Sequence, residues 1–425
     1  MLRKEVITMR YVLVLSSDRK PLDPCHPARA RQLLKRGRAA VLRRYPFTII
    51  LKDRTAAESA THRYRLKIDP GSRTTGLAII CEDTGRLVWA AEIQHRGHEI
   101  HRQMMKRRQL RRARRSRKCR HRQPRFNNRR RKPGWLPPSL VSRVSNIETW
   151  VARLKRYVPI TAISVELAKF DTQKLQNPEI SGTEYQRGDL FGYEVREYLL
   201  EKWGHRCAYC GAEGVPLEID HIVPKSRGGS DRVSNLTISC RDCNLAKGNK
   251  TAAEFGHPEV QKEAKRPLRD AAAVNATRWA IFRRLQATGL PIEVGTGGRT
   301  KYNRTRLGLP KAHWTDAACV GESTPDDLFV RGITPLLIKA TGHGRRKRCR
   351  TDRYGFPICH APPAKKFMGF QTGGIVRAIV PKGKYAGVHI GRVAIRHRPS
   401  FRLNGFDVHP KYLEILQRAD GYDYK

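Results

Sequence analysis

Between Arg206 and Thr251 the chain reads RCAYCGAEGVPLEIDHIVPKSRGGSDRVSNLTISCRDCNLAKGNKT, and no other stretch constrains its fold as strongly. Two Cys-x-x-Cys pairs, Cys207/Cys210 and Cys240/Cys243, enclose an adjacent Asp220 and His221, and Asn244 directly follows the last cysteine. Four thiolates in two knuckles are a tetrahedral ligand set of the kind that closes a structural zinc site. A plain zinc ribbon with an incidental Asp-His would carry the same cysteines. The enclosed pair adds chemistry, because a metal-binding carboxylate stands beside an imidazole able to take a proton from water. Ile219 to Pro224 reads as a short strand that carries the pair into a turn. Gly228 and Gly229 permit a tight loop, and Asn235-Leu236 opens a second strand that leads into the second knuckle. Asn244 then starts a helix and faces the same metal.

This pattern resembles the ββα-metal module of HNH nucleases, with zinc clamping its ends. The resemblance implies one Mg2+ held by Asp220 and Asn244, with His221 as the base.

Charge bounds the partners. The 425 residues hold 85 Lys+Arg against 38 Asp+Glu, a formal net charge of +47. Such a chain repels itself unless an acidic polymer neutralises it. Nucleic acid is the first candidate and an anionic membrane surface the second. No apolar run approaches the roughly 18 residues that span a bilayer, and Tyr11 to Leu15 is too short for a signal-peptide core. A soluble protein of a prokaryotic cytoplasm is expected. The remaining cysteines (Cys25, Cys81, Cys119, Cys319, Cys349, Cys359) are scattered and read as reduced thiols.

Along the chain, Tyr11 to Leu15 and Phe47 to Leu51 read as strands, Pro21 to Pro27 as a proline-punctuated turn, and Ala28 to Arg38 as a short basic helix. Tyr64 to Asp69, Gly76 to Cys81 and Arg86 to Ile93 read as three further strands. From Arg102 to Lys132 more than half of the residues are Lys or Arg and none is Asp or Glu. Nothing breaks a helix before Pro124, so Glu99 to His121 is expected as one basic helix with Met104, Met105 and Leu110 as apolar anchors. Arginines on every face would fray an isolated helix, and phosphates on several sides resolve the repulsion. A disordered basic tail is the alternative. Arg107, Arg108, Arg111, Arg112, Arg114 and Arg115 are the candidate phosphate ligands, and their forks suit an RNA backbone.

Residues 139–157 show helical period. Ile160 to Glu166 reads as a strand ending in a carboxylate, and Asp189 to Trp203 as a helix. Pro267 to Thr288 is a long helix, Pro291 to Gly295 a short strand, and His313 to Val320 a helix with His313 and Asp316 on one face. After a basic linker, Arg345 to Arg350, the segments Gly373 to Val380, Gly387 to Ile395 and Phe401 to Val408 alternate like the strands of a small β-barrel.

Asp69 and Glu166 each end a strand, and Asp316 lies on a late helix. An RNase H-type site needs three such acids from different elements to converge on two divalent ions. Their order, with the Asp-His insert between the second and third, resembles the transposon-encoded IscB nucleases, relatives of the CRISPR type II effectors. KIDPGSRTTG, ISVELAKFD, EIDHIVPKSRGGSDRVSNL, AHWTDAA and the arginine helix carry the resemblance, which covers essentially the whole chain. PLDPCHPARARQLLKRGRAAV looks like that family's proline-leucine-x-proline module, with Asp23 where Met is usual. FQTGGIVRAIVPKGKYAGVHIGRVAIR looks like its C-terminal domain.

The resemblance implies an α/β multidomain chain. Its parts are an N-terminal module (1–58), a RuvC-like core split in three (59–95, 133–200, 259–344), a bridge helix (96–132), an HNH insert (201–258) and a C-terminal β-barrel-like domain (345–425). It implies two Mg2+ at Asp69, Glu166 and Asp316, with His313 assisting. It also implies a structured guide RNA (omega RNA), a target duplex with a short flanking motif, no membrane, and one protein copy in a ribonucleoprotein. An HNH-only nicking or homing endonuclease, and a nucleic-acid-binding protein that does not cut, are the alternatives.

Overall fold

A computed structural model of the chain describes residues 11–116, 135–167, 196, 199–200, 202–265, 269–330, 332–342, 351–354, 356–360, 364–396 and 400–425. The basic run beyond Ser116, most of the expected helix from Asp189, the linker at Arg345 to Arg350, Cys119 and Cys349 lie outside these residues. The chain divides into two units, one of Met1–Leu167 with Ala280–Lys425 and one of Ala168–Trp279. It is mixed α/β, and among the described residues no helix is long and apolar enough to cross a membrane.

The first unit opens with β1 (Val12–Leu15), β2 (Pro21–Cys25), α1 (Pro27–Lys35), β3 (Ala39–Arg43) and β4 (Thr48–Leu51) in a sheet of order β2-β1-β4-β3. The expected turn at Pro21 is instead an edge strand, where a missing N–H is tolerated. Leu22 and Pro24 alternate inward, and β2 pairs with β1. His26 caps α1 by accepting from the Ala28 amide.

Next come β5 (Tyr64–Pro70), β6 (Thr74–Cys81) and β7 (Arg86–Gln94), an antiparallel meander as expected. α2 (Gly97–Ser116) is the basic helix, and it packs on α3 (Pro138–Tyr157). Met104 and Met105 are each 40% exposed, so they are not its anchors, whereas Leu110 and Ala113 are half-buried. α3 turns Val144, Ile147, Trp150, Val151 and Leu154 into the core, at the i, i+3, i+4, i+7 spacing of an amphipathic helix. β8 (Ile160–Glu166) then runs parallel to β5.

The second unit is built on β9 (Leu217–His221) and β10 (Leu236–Cys240), an antiparallel pair, followed by α4 (Arg241–Lys247) and α5 (Pro258–Lys265). Its core joins Leu217, Ile222, Leu236 and Ile238 to Val260 and Ala264 of α5.

Within α6 (Arg269–Gln286) the first unit resumes at Ala280, and it continues with β11 (Ile292–Gly295), α7 (Gly297–Arg306), α8 (His313–Ala318) and β12 (Leu336–Ala340). The C-terminal strands are β13 (Lys366–Phe367), β14 (Phe370–Gln371), β15 (Ile375–Val380), β16 (Gly387–Arg392), β17 (Phe401–Leu403), β18 (Phe406–Val408), β19 (Leu413–Gln417) and β20 (Tyr422–Tyr424). The large sheet has order β11-β8-β5-β6-β7-β12-β20. Trp150 is fully buried against Trp89, Tyr422 and Tyr424, so the last residues of the chain complete the sheet's core.

Among the described residues the other C-terminal strands form a three-stranded sheet and two hairpins, not one closed barrel. Phe401 to Val408 is two strands, because Asn404 and Gly405 both take positive φ and turn the chain.

Candidate active sites

Two groups of residues carry chemistry, one in each unit. In the first, β5 and β8 run parallel with Ile68 opposite Val165. Asp69 and Glu166 are the next residues along both strands and reach the same edge of the sheet. Across the meander Asp69 faces Gly76, and Gly76 faces Glu92. Gly76 is where α8 crosses: a Cβ there would stand 1.8 Å from the His313 carbonyl oxygen, so only glycine admits the helix. Glu92 accepts from the Trp314 amide at 3.3 Å and fastens the first turn of α8.

His313 thereby comes to Asp69, Nδ1 to Oδ2 3.7 Å. The Asp69 carboxylate raises the His313 pKa, although the pair is longer than a good hydrogen bond and acts chiefly through charge. Asp316 is pushed up to about 6, by burial first and the nearby Asp69 carboxylate second.

Two partners of the acids come from α7, a helix that the sequence pattern, opening with Gly297-Gly298, did not reveal. Thr300 donates to Glu166 Oε2 at 2.6 Å. Arg304 Nε lies 2.7 Å from Asp316 Oδ1. Asn303, between them on the helix, donates to the carbonyls of Cys319 and Gly321 and ties α7 to the end of α8. A second helper is Arg143 of α3, 2% exposed, which donates to the carbonyls of Pro70 and Gly71 just after Asp69. Asp69, Glu166 and Asp316 are three half-buried carboxylates near one sheet edge, one of them resisting ionisation beside another, but their oxygens are not gathered as closely as a ready-made ligand group.

In the second unit the four cysteines come together. Their sulfurs lie within 4.8 Å of one another, the one such group of potential metal ligands among the described residues. Cys210 and Cys240 Sγ are 3.7 Å apart, against roughly 3.8 Å for two thiolates on one tetrahedral zinc. The first knuckle is pinned to β10 by the Ala208 amide donating to Ile238, and Cys240 caps α4. Burial and the neighbouring thiols hold the Cys243 proton on tightly, a cost that a bound cation removes. The set fits zinc. Of the other described cysteines, Cys25, Cys81 and Cys319 are free thiols, the last two buried.

Asp220 and His221 are neighbours on β9 and so point to opposite faces. Asp220, 8% exposed, accepts from Tyr209 Oη at 2.6 Å and from Lys247 Nζ at 3.0 Å. Asn244, one turn before Lys247 on α4, donates instead to Glu218 at 2.9 Å. The expected shared ligand set of Asp220 and Asn244 is therefore not assembled: an ammonium already meets the Asp220 charge. His221 Nε2 lies 2.8 Å from Asp231 Oδ1, and Lys225 Nζ lies 2.8 Å from the other oxygen of the same carboxylate.

Asp231 was not foreseen, though the glycines before it were. A Cβ on Gly229 would stand 1.7 Å from the Val223 carbonyl oxygen, and that close approach returns the loop toward His221. Asn235 closes the same loop, accepting from the Val223 amide and donating to the carbonyls of Val223 and Ser230.

On α2, Arg107, Arg108, Arg111 and Arg112 are exposed, and Arg114 and Arg115 fall within the helix span.

The RRXRR protein family model matches residues 12–188, and the HNH endonuclease family model matches residues 207–250. No curated protein matches the chain. Among solved structures the chain is similar to T. thermophilus RuvC in complex with a Holliday junction substrate, at 12% identity over 62% of this chain and 92% of that one, TM-score 0.23. It is similar to Streptococcus thermophilus Cas9 in complex with the GGAA PAM, at 14% identity over 60% and 32%, TM-score 0.24. It is also similar to the type II-C Cas9 of Actinomyces naeslundii, at 16% identity over 67% and 49%, TM-score 0.17. The chain spans about a third to a half of those two Cas9 chains, and likenesses of this size carry no argument about activity. The two family matches do: with an RRXRR region and an HNH endonuclease domain, the chain is a metal-dependent nuclease.

Proposed function

We propose that this chain is an RNA-guided DNA endonuclease that cuts both strands of a duplex, the HNH site cutting the guide-paired strand and the RuvC-like site the displaced one. The observation that carries the reading is that Asp69 and Glu166 end neighbouring parallel strands at one sheet edge, where α8 brings His313 and Asp316 beside Asp69. That site stands in a chain that also holds an HNH domain and a basic helix with no acid after Glu99. An HNH-only enzyme has no use for the first group, and a binding protein has no use for either.

Two Mg2+ held by Asp69, Glu166 and Asp316 would supply an activated water and a stabilised leaving oxygen. Thr300 and Arg304 hold Glu166 and Asp316 in place, and Arg143 fixes the turn behind Asp69. His313 is set to hold or pass a proton at Nδ1. In the HNH unit an ion would have to share Asp220 with Lys247, so no step is assigned to it. His221 takes the proton of the attacking water, with Asp231 orienting its ring.

Sequence specificity in this reading lies in base pairing, while the protein reads heteroduplex shape and a short flanking motif through its C-terminal strands. The test is to purify the chain from its host, sequence the RNA that comes with it, and offer a duplex complementary to that RNA with Mg2+. Guide-matched cleavage of both strands supports the reading. Absence of bound RNA leaves the HNH-only alternative, and RNA without cleavage leaves the binding protein.

A further inference from the structure

We propose that the N-terminal module holds a pocket for one unstacked RNA nucleotide, its base in an aromatic chamber and its phosphate on Arg31 and Arg44; this rests on the RNA-binding reading above. Between α1, the turn before β4 and the face of the large sheet lies a cavity of about 280 Å3, near the lower end of small-ligand pockets. Leu34, the buried Trp89, Tyr11 and Phe47 line it. Phe47 is 39% exposed.

No Asp or Glu lines the cavity, although Arg31 and Arg44 do. Neither has an ion pair or hydrogen bond among the described residues. Their neighbours are matched: Arg43 is paired with Asp420, and Arg38 with Asp53.

Two uncompensated guanidinium groups beside an apolar, aromatic chamber call for a flat apolar ring that carries an anion. A nucleotide is that molecule. Its base stacks on an aromatic ring, and its phosphate takes the forks of the two arginines. RNA is the better source than DNA, because duplex DNA keeps its bases stacked. Single-stranded loops and bulges of RNA splay theirs out onto aromatic and arginine planes.

The test irradiates the full chain with its co-purified RNA, digests both, and maps nucleotide adducts to peptides by mass spectrometry. A ribonucleotide adduct on the peptide of Tyr11 or Phe47 is expected. In the Arg31→Gln/Arg44→Gln variant it should fall about tenfold, while adducts on the Arg107 to Arg112 helix persist. Absence of the pocket adduct, or one indifferent to the variant, overturns the pocket and leaves RNA binding standing. A deoxynucleotide adduct that forms only with target DNA assigns the cavity to DNA and overturns the RNA proposal. Absence of any co-purified RNA sinks both the pocket and the reading beneath it.

Discussion

The Asp220 carboxylate shows how far one side chain's role depends on its partner. It is nearly buried, and the ammonium that compensates it, Lys247, is 1% exposed. Removing one member of such a pair leaves a charge stranded in low dielectric, at about 3–5 kcal/mol. Lys247→Met should therefore loosen the HNH unit by that order, and adding Asp220→Asn should recover much of it. Hydrogen exchange of residues 207–250 in the two variants would show this, and equal protection in both would mean that the pair is not coupled.

A buried imidazole, His95, makes stability depend on pH. Tyr422 Oη donates to Asn146 Oδ1, which fixes the amide so that its Nδ2 donates to His95 Nδ1. His95 Nε2–H is then left to donate to Thr75 at 2.7 Å. Burial, and then the Arg143 charge, hold the imidazole neutral and depress its pKa from 6.5 to about 3. The unfolded chain thus binds a proton below 6.5 that the folded chain refuses. The contribution of neutral His95 is complete above pH 6.5 and is lost as pH falls. Between 6.5 and 4.5 the loss is about 2 kcal/mol. Urea unfolding over that range should give a shallower pH dependence for His95→Gln than for wild type, and parallel curves would remove His95 as the cause.

At the scale of elements, the zinc knuckles govern their unit. Cys207→Ser or Cys243→Ser should unfold the HNH unit, since a structural zinc contributes its binding energy to folding. Limited proteolysis should cut within residues 201–258 and spare the β5–β8 sheet. A chelated protein that kept its protection there would refute the zinc assignment. The basic helix makes a separate case. A six-fold Arg→Gln variant at Arg107, Arg108, Arg111, Arg112, Arg114 and Arg115 should lower the slope of log RNA affinity against log salt by about 0.7–0.9 per lost phosphate contact, and an unchanged slope would mean these side chains face no phosphate.

Elements with strong period were legible from the sequence. β5 to β8 and α3 stand where alternation and helical spacing put them, because their apolar faces all serve one core. α7 was not legible. Its buried face is Thr300 and Asn303, which carry no hydrophobic signal, and its cap, Thr296, precedes two glycines. β12 and β20 were missed because the first pairs in parallel with β7 and the second, three residues long, reaches its partner from the far end of the chain. The cysteine cluster was fully readable, since spacing alone sets a tetrahedral ligand set. The partners Asp231, Thr300, Arg304 and Lys247 were not, because each reaches its acid or imidazole through loops and register that spacing does not encode.

For the whole molecule, the two proposed catalytic groups sit in different units with different cores, so each should fail alone. Asp69→Ala removes a carboxylate from the sheet-edge set and leaves Asp220, His221 and Asp231 untouched. His221→Ala removes the one imidazole paired with Asp231 and leaves the sheet edge intact. The first variant should nick only the guide-paired strand, and the second only the displaced strand, each losing its own cut by roughly 10²-fold or more. Because Asp69 also raises the His313 and Asp316 pKa values, Asp69→Asn should fail as Asp69→Ala does. It removes the charge that both neighbours answer to while keeping the shape. A guide-matched duplex labelled differently on its two strands, cut with Mg2+, separates the cases. If Asp69→Ala still cut the displaced strand at the wild-type rate, the sheet-edge acids would not be a nuclease site. If His221→Ala still cut the guide-paired strand, the base would have to be sought elsewhere in the HNH unit.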